Sequence, residues 1–365
     1  MKVMVVFGTR PEAIKMCPLV LELKKRSEIE TIVCTTGQHK EMLDQVMEVF
    51  HVTENYNLSI MEEKQTLSMI TSKVLLGIDE ILKTEKPDIM LVHGDTTTSF
   101  AASLSAFYHQ ISVGHVEAGL RTYDLYSPFP EEFNRQAVDI VSDLYFAPTE
   151  LAKKQLLREG KSDKNIIVTG NTVIDALSTT IKKEYYHEEL EWAKGSKLIL
   201  FTAHRRENIG QPMQNIFHAL CKIVNENKNV KVIYPIHKNP KVREIADEIL
   251  GNQERIHMIE PLDVFDFHNF IARSYMVMTD SGGIQEEAPS LGKPVLVLRD
   301  TTERPEGVAA GTLKLTGTQE DTIYSIATQL LNNKEMYNKM SIASNPYGDG
   351  HASKRIVEYL LQSIS

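Results

Sequence analysis

Short apolar runs rich in β-branched residues punctuate the chain at 3–7, 31–35, 89–92, 111–116 and 144–147. They resume at 198–202, 230–234, 256–259, 276–279 and 295–298. Between them lie amphipathic stretches, among them 13–25, 40–50, 67–84 and 213–225, with apolar positions at helical spacing. Continuous apolar strands alternating with such helices predict βαβ units, in which parallel sheets are covered on both faces. The two halves open alike. Val6-Phe7-Gly8-Thr9-Arg10-Pro11-Glu12 and Phe201-Thr202-Ala203-His204-Arg205-Arg206-Glu207-Asn208 each run a strand into a polar, arginine-bearing turn. We therefore expect an α/β fold of two doubly wound, Rossmann-like domains, 1–168 and 169–352. The amphipathic tail 353–365 is expected to pack back on the first. Ligands of such sheets sit at the carboxyl ends of strands, so the expected site is an interdomain cleft.

A length of 365 residues suits two domains better than one core. The formal net charge of -9 argues against a partner such as nucleic acid and against general binding to a membrane surface. No apolar run approaches the ~18 residues a membrane span needs, and the opening run is too short for a signal peptide. A cytoplasmic protein is expected. Cys17, Cys34 and Cys221 are scattered and lack metal-ligand spacing, so they read as small hydrophobes in a reducing compartment.

Four polar turns follow strands of the first half. Gly8-Thr9-Arg10-Pro11-Glu12-Ala13-Ile14-Lys15 combines a tight turn with Arg10 and Lys15, which are cations of phosphate-binding type, or simply solvated charges. His93-Gly94-Asp95-Thr96 places Asp95 where a helix begins, either as chemistry or as an N-cap. His115-Val116-Glu117-Ala118-Gly119 sets a carboxylate beyond a buried strand. Ser127-Pro128-Phe129-Pro130-Glu131 fixes a loop that presents Glu131 at a helix start. Three carboxylates thus gather at one sheet edge, which suits general acid–base work. His93-x-Asp95 and His115-x-Glu117 are the alternative, metal-ligand pairs; we expect no metal and no cofactor, since no phosphate loop of Gly-Lys-Ser/Thr type is present to hold magnesium. In the second half, His204 and Arg205 follow one strand and His237 another. Thr279-Asp280-Ser281-Gly282-Gly283 ends a strand before an acidic helix start, an arrangement that favours anions, with Arg304 in the following charged loop.

In order and over nearly the whole length, these motifs resemble the non-hydrolysing UDP-N-acetylglucosamine 2-epimerases of bacteria. The resemblance implies two domains in the GT-B arrangement, usually as a homodimer. It implies interconversion of UDP-GlcNAc and UDP-ManNAc for cell-surface polysaccharide synthesis. The family route eliminates UDP across C1–C2 to give 2-acetamidoglucal, then adds UDP back with the proton on the other face. On this likeness Asp95, Glu117 and Glu131 are the proton-transfer carboxylates, assisted by His204. Arg10, Ser281, Gly282 and Gly283 match the diphosphate site, Glu287 the ribose carboxylate, and Phe267 the aromatic beside uracil. Lys15, His237 and Arg304 match further site positions. Some bacterial members bind a second UDP-GlcNAc as activator, at positions matched by Gln38, Gln65, Glu131, Arg205 and His237. Glu41 and Lys64 depart from that pattern, where a glutamine and an arginine stand.

Overall fold

The computed structural model describes residues 1–37, 40–62 and 65–363, and of 40–42 the backbone alone. Its elements follow the apolar pattern closely. In chain order they begin with β1 (Lys2–Phe7), α1 (Arg10–Lys24), β2 (Glu30–Thr35), α2 (Lys40–Val49), β3 (Tyr56–Asn57) and α3 (Leu67–Glu85). Then come β4 (Ile89–His93), α4 (Thr97–Tyr108), β5 (Ser112–Val116), α5 (Glu131–Val141), β6 (Leu144–Ala147), α6 (Glu150–Arg158), β7 (Ile166–Val168) and α7 (Thr172–Thr180). The second series is α8 (Glu188–Trp192), β8 (Lys197–Thr202), α9 (Gln211–Glu226), β9 (Val230–Pro235), α10 (Pro240–Leu250), β10 (Ile256–Ile259) and α11 (Val264–Arg273). It continues through β11 (Met276–Thr279), α12 (Ile284–Ser290), β12 (Val295–Val297), α13 (Pro305–Ala310), β13 (Leu313–Leu315), α14 (Glu320–Asn332) and α15 (Lys334–Ser341). The last helix is α16 (Ala352–Ser363).

Among the described residues the strands form two sheets, ordered β3-β2-β1-β4-β5-β6-β7 and β10-β9-β8-β11-β12-β13. Every pairing between neighbours is parallel. Each order grows outward in both directions from its first strand, which defines a doubly wound, Rossmann-like sheet. Side chains of a strand alternate between faces, and here both faces are covered. Ile199, Phe201, Val232, Tyr234, Met276 and Met278 join one buried cluster. Leu198, Leu200, Ile233, Val277, Val295 and Val297 join the other. That is why the strands read as unbroken apolar runs.

The chain divides into two compact units, Met1–Thr179 with Tyr347–Ser365, and Thr180–Pro346. The division falls at Thr179/Thr180, later than the expected 168/169, because α7 belongs to the first unit. Asp175 of α7 accepts hydrogen bonds from the backbone N–H groups of Ala352 and Ser353, at 3.1 and 2.7 Å, where α16 begins. Tyr359 of α16 packs edge-on against Phe146. Among the described residues no helix is long and apolar enough to cross a membrane. Cys17 and Cys34 are buried, and burial pushes both thiols up to about 12.

Candidate active site

The first unit brings its polar turns together at the carboxyl ends of β1, β4 and β5. Thr9 caps α1, and Glu12, three residues on, completes a capping box. The buried Glu12 carboxylate also accepts from Gly8 N (3.0 Å), Thr9 N (2.7 Å), Thr96 Oγ1 (2.6 Å) and Ser99 Oγ (3.1 Å). One side chain thus ties the turn after β1 to the turn after β4. Gly8 is required by space: a Cβ there would lie 1.9 Å from Thr36 Oγ1.

Asp95 is not the cap of α4. Thr96 holds that position, its hydroxyl accepting from Ser99 N. The Asp95 carboxylate instead meets Arg135 Nη2 at 2.5 Å, and its backbone carbonyl accepts from Asn134 Nδ2 at 2.9 Å. Both partners lie on α5, which Glu131 opens. Asp95 and Glu117 extend from neighbouring strands, with Val92 of β4 in register with His115 of β5.

Glu117 is buried and sits at φ +66°, the left-handed region that side chains other than glycine rarely adopt. Such strain persists where the surroundings over-determine it. Lys15 Nζ reaches its two oxygens at 2.9 and 2.6 Å, His93 Nε2 lies 2.7 Å from Oε2, and Asn171 Nδ2 donates at 3.2 Å. Burial pushes this carboxyl up, but the Lys15 ammonium and then His93 outweigh it and hold it well below the usual carboxylate range. Lys15, expected among phosphate-binding groups, is therefore bonded to Glu117. The metal-ligand alternative fares differently: His93 turns to Glu117, while His115 bonds to Asp139 and to the Gly94 carbonyl. Among the described residues no group of three or more His, Cys, Asp or Glu is placed to hold a metal.

In the second unit, buried Asp280 organises the turn after β8. Its carboxylate accepts from His204 N (2.9 Å), Arg205 N (2.9 Å) and Asn208 Nδ2 (3.0 Å). The His204 ring stacks on His237, with centroids 5.4 Å apart. Burial lowers the His204 imidazole below its ordinary value; Asp280 opposes that, and His237 and Arg205 reinforce it. Ser281, Gly282 and Gly283 link β11 to α12. Ser281 N donates to Thr279 Oγ1 at 2.9 Å. With no Cβ at Gly282 or Gly283, the backbone is open to close approach; an ideal Cβ at Gly282 would lie 3.6 Å from Arg205 Nη2. Beside Gly283, where an ideal Cβ would lie 3.6 Å from its Oε1, Glu287 is 3.5 Å from His268 Nε2, and His268 Nδ1 pairs with Thr180 Oγ1 at 2.7 Å. Phe267, next to His268 on α11, packs on the second core.

Some expected site residues have other partners. Arg304 Nε bonds to buried Glu286, which orders the charged loop before α13. Gln65 donates to the Ile60 carbonyl. Arg10 opens α1, half-buried beside Gly8. Gln38, Lys64 and the Glu41 side chain lie outside the described residues. Glu12, Asn171, Arg135, Asp280 and His268 were not singled out for a role by the sequence, and His93 only as a metal-ligand alternative. Glu12 carried a readable signal, the Thr-x-x-Glu spacing of a capping box.

The family model for UDP-N-acetylglucosamine 2-epimerase matches residues 21–361. A UDP-N-acetylglucosamine 2-epimerase of Bacillus subtilis is 63% identical over 99% of this chain and 95% of its own. The structure of UDP-GlcNAc 2-epimerase from Neisseria meningitidis bound to UDP-GlcNAc is 50% identical, with a TM-score of 0.90 over 99% of this chain and 100% of its own. A structure of S. aureus MnaA with UDP is 53% identical, with a TM-score of 0.91 over 100% of this chain and 96% of its own. Over its whole length, then, this chain belongs to the UDP-N-acetylglucosamine 2-epimerase family.

Proposed function

We propose that the protein interconverts UDP-GlcNAc and UDP-ManNAc by eliminating UDP across C1–C2 and adding it back. No carbonyl activates C2 directly, so simple deprotonation there has nothing to stabilise the carbanion. Departure of UDP from C1 solves that problem. The C2–H bond breaks to a base, its electrons form the C1–C2 double bond, and the C1–O bond releases UDP. The intermediate is 2-acetamidoglucal. Return of a proton to the opposite face of C2 with attack of a β-phosphate oxygen on C1 gives the epimer. Atoms balance with no cofactor.

The observation that carries the reading is Glu117, a buried carboxylate held ionised by Lys15 in strained backbone beside Asp95. C1 becomes electron-poor as UDP leaves, and a fixed negative charge stabilises that state most where water is excluded. Proton exchange at C2 falls to Asp95 and Glu131. His204, kept neutral by burial, is suited to assist. Arg10 and the Ser281-Gly282-Gly283 turn hold the diphosphate, Glu287 the ribose and Phe267 the uracil. The binding of UDP-GlcNAc by the Neisseria relative and of UDP by MnaA supports the same ligands here.

Incubation with UDP-GlcNAc alone in deuterated water tests the reading. UDP-ManNAc carrying deuterium at C2, with little net UDP, is expected. Free ManNAc would indicate hydrolysis, and no reaction without an acceptor would indicate glycosyl transfer; either result contradicts it.

A further inference from the structure

His115 lies fully buried on β5, yet both of its ring nitrogens face acceptors. Nε2 is 2.8 Å from the Gly94 carbonyl, which has no proton to give, so Nε2 must donate. Nδ1 is 2.6 Å from Asp139 Oδ1. Asp139 also receives Arg121 Nη2 at 2.7 Å and Gly119 N at 3.3 Å, both on its other oxygen, Oδ2. Burial works against the charged form of Asp139, but His115 and Arg121 outweigh it and hold the carboxyl below its ordinary value. The same ring pairs with that carboxyl through Nδ1.

The Gly94 carbonyl is the last backbone group before Asp95. Gly94 takes φ +62°, and its N–H donates to the Val116 carbonyl at 2.9 Å. Strand β5 thus grips both backbone groups of Gly94, one through its main chain and one through the His115 ring. Arg135 and Asn134 hold Asp95 itself from α5. We propose that His115 is a positioning residue that, by donating from Nε2 to the Gly94 carbonyl, fixes the turn that aims Asp95 at the C2 proton. The inference rests on the reading of Asp95 given above. It assigns His115 no contact with substrate.

Two near-isosteric variants separate the ring nitrogens. His115→Gln places an amide N–H where Nε2 stood and keeps the bond to Gly94. His115→Asn places it where Nδ1 stood and keeps only the bond to Asp139. Both lose one buried hydrogen bond, so similar drops in melting temperature are expected. Turnover is expected to split: kcat falls about a hundredfold in His115→Asn, the scale of an ångström-level misplacement, and is mostly rescued in His115→Gln. KM and UDP affinity should stay close to the parent in both. Equal kcat in the two variants, whether both fall or both hold, overturns the proposal. Should His115→Asn fail to fold, His115→Gln still decides: retained kcat supports the proposal and a hundredfold loss overturns it. Asp95→Asn, measured alongside, separates the two failures. If it keeps turnover, the reading of Asp95 is wrong and the proposal falls with it; if it is inactive while the His115 variants match each other, only the proposal fails.

Discussion

In the proposed chemistry Glu117 supplies the fixed negative charge, and against the upward push of burial Lys15 and then His93 hold that carboxyl below its ordinary value. The sign of the resulting pH dependence follows directly. Lys15 lowers the Glu117 pKa, so its removal raises it. Activity that needs ionised Glu117 is lost as pH falls through that pKa. In Lys15→Gln the acid limb of the kcat profile is therefore expected at higher pH than in the parent; an unmoved limb would mean that the pair does not govern turnover. The motif containing Glu117 was legible in the sequence, but its partner was not. Residues 15 and 117 meet only because β1 lies beside β4 and β4 beside β5. The same holds for Arg304, whose partner Glu286 is on α12, across a strand from it. Local pattern identifies a charged group near a strand end, whereas the tertiary fold decides which opposite charge it meets.

Glu12 acts at the scale of elements, because it joins the start of α1 to the start of α4. Glu12→Ala removes the acceptor of two backbone N–H groups and of the Thr96 hydroxyl, whereas Ser99 Oγ keeps the His93 carbonyl. A loss of about 2–4 kcal/mol is expected from the denaturant midpoint, with Glu12→Gln recovering part of it. A loss below about 0.5 kcal/mol would show that the turns hold without it. Strands of four or more residues were legible because burial on both faces leaves an unbroken apolar run. Strands β3, β7 and β13 were not among the runs read from the sequence; β3 is two residues long and β13 is interrupted by Lys314, so neither shows an unbroken apolar run. The division between units was also misjudged from the sequence. Val168-Thr169-Gly170-Asn171 looks like a boundary, but Asp175 beyond it binds the start of α16, and that contact spans nearly half the chain.

At the scale of the molecule, each unit has its own sheet and its own buried clusters, so damage to one core should be readable separately. Trp192, the sole tryptophan, stacks on His257 within the second unit and reports on it by fluorescence. Phe201→Ala removes a fully buried ring that packs on Tyr234 and Phe217. It should lower the stability of that unit by about 3–5 kcal/mol, moving the Trp192 unfolding transition to lower denaturant. An unchanged transition would mean that Phe201 does not support that core. The proposed chemistry assigns proton exchange to carboxylates of the first unit, with His204 of the second assisting, and the hold on UDP to the second, with Arg10 of the first joining at the diphosphate. Its central claim is that the bond between C1 and the diphosphate breaks in every epimerisation. Labelling the bridging oxygen of UDP-GlcNAc with oxygen-18 tests this directly, since a freed β-phosphate can rotate and return through any of its three equivalent oxygens. The account expects the label to spread into non-bridging positions as epimerisation proceeds. Complete epimerisation with the label still wholly in the bridge would contradict it.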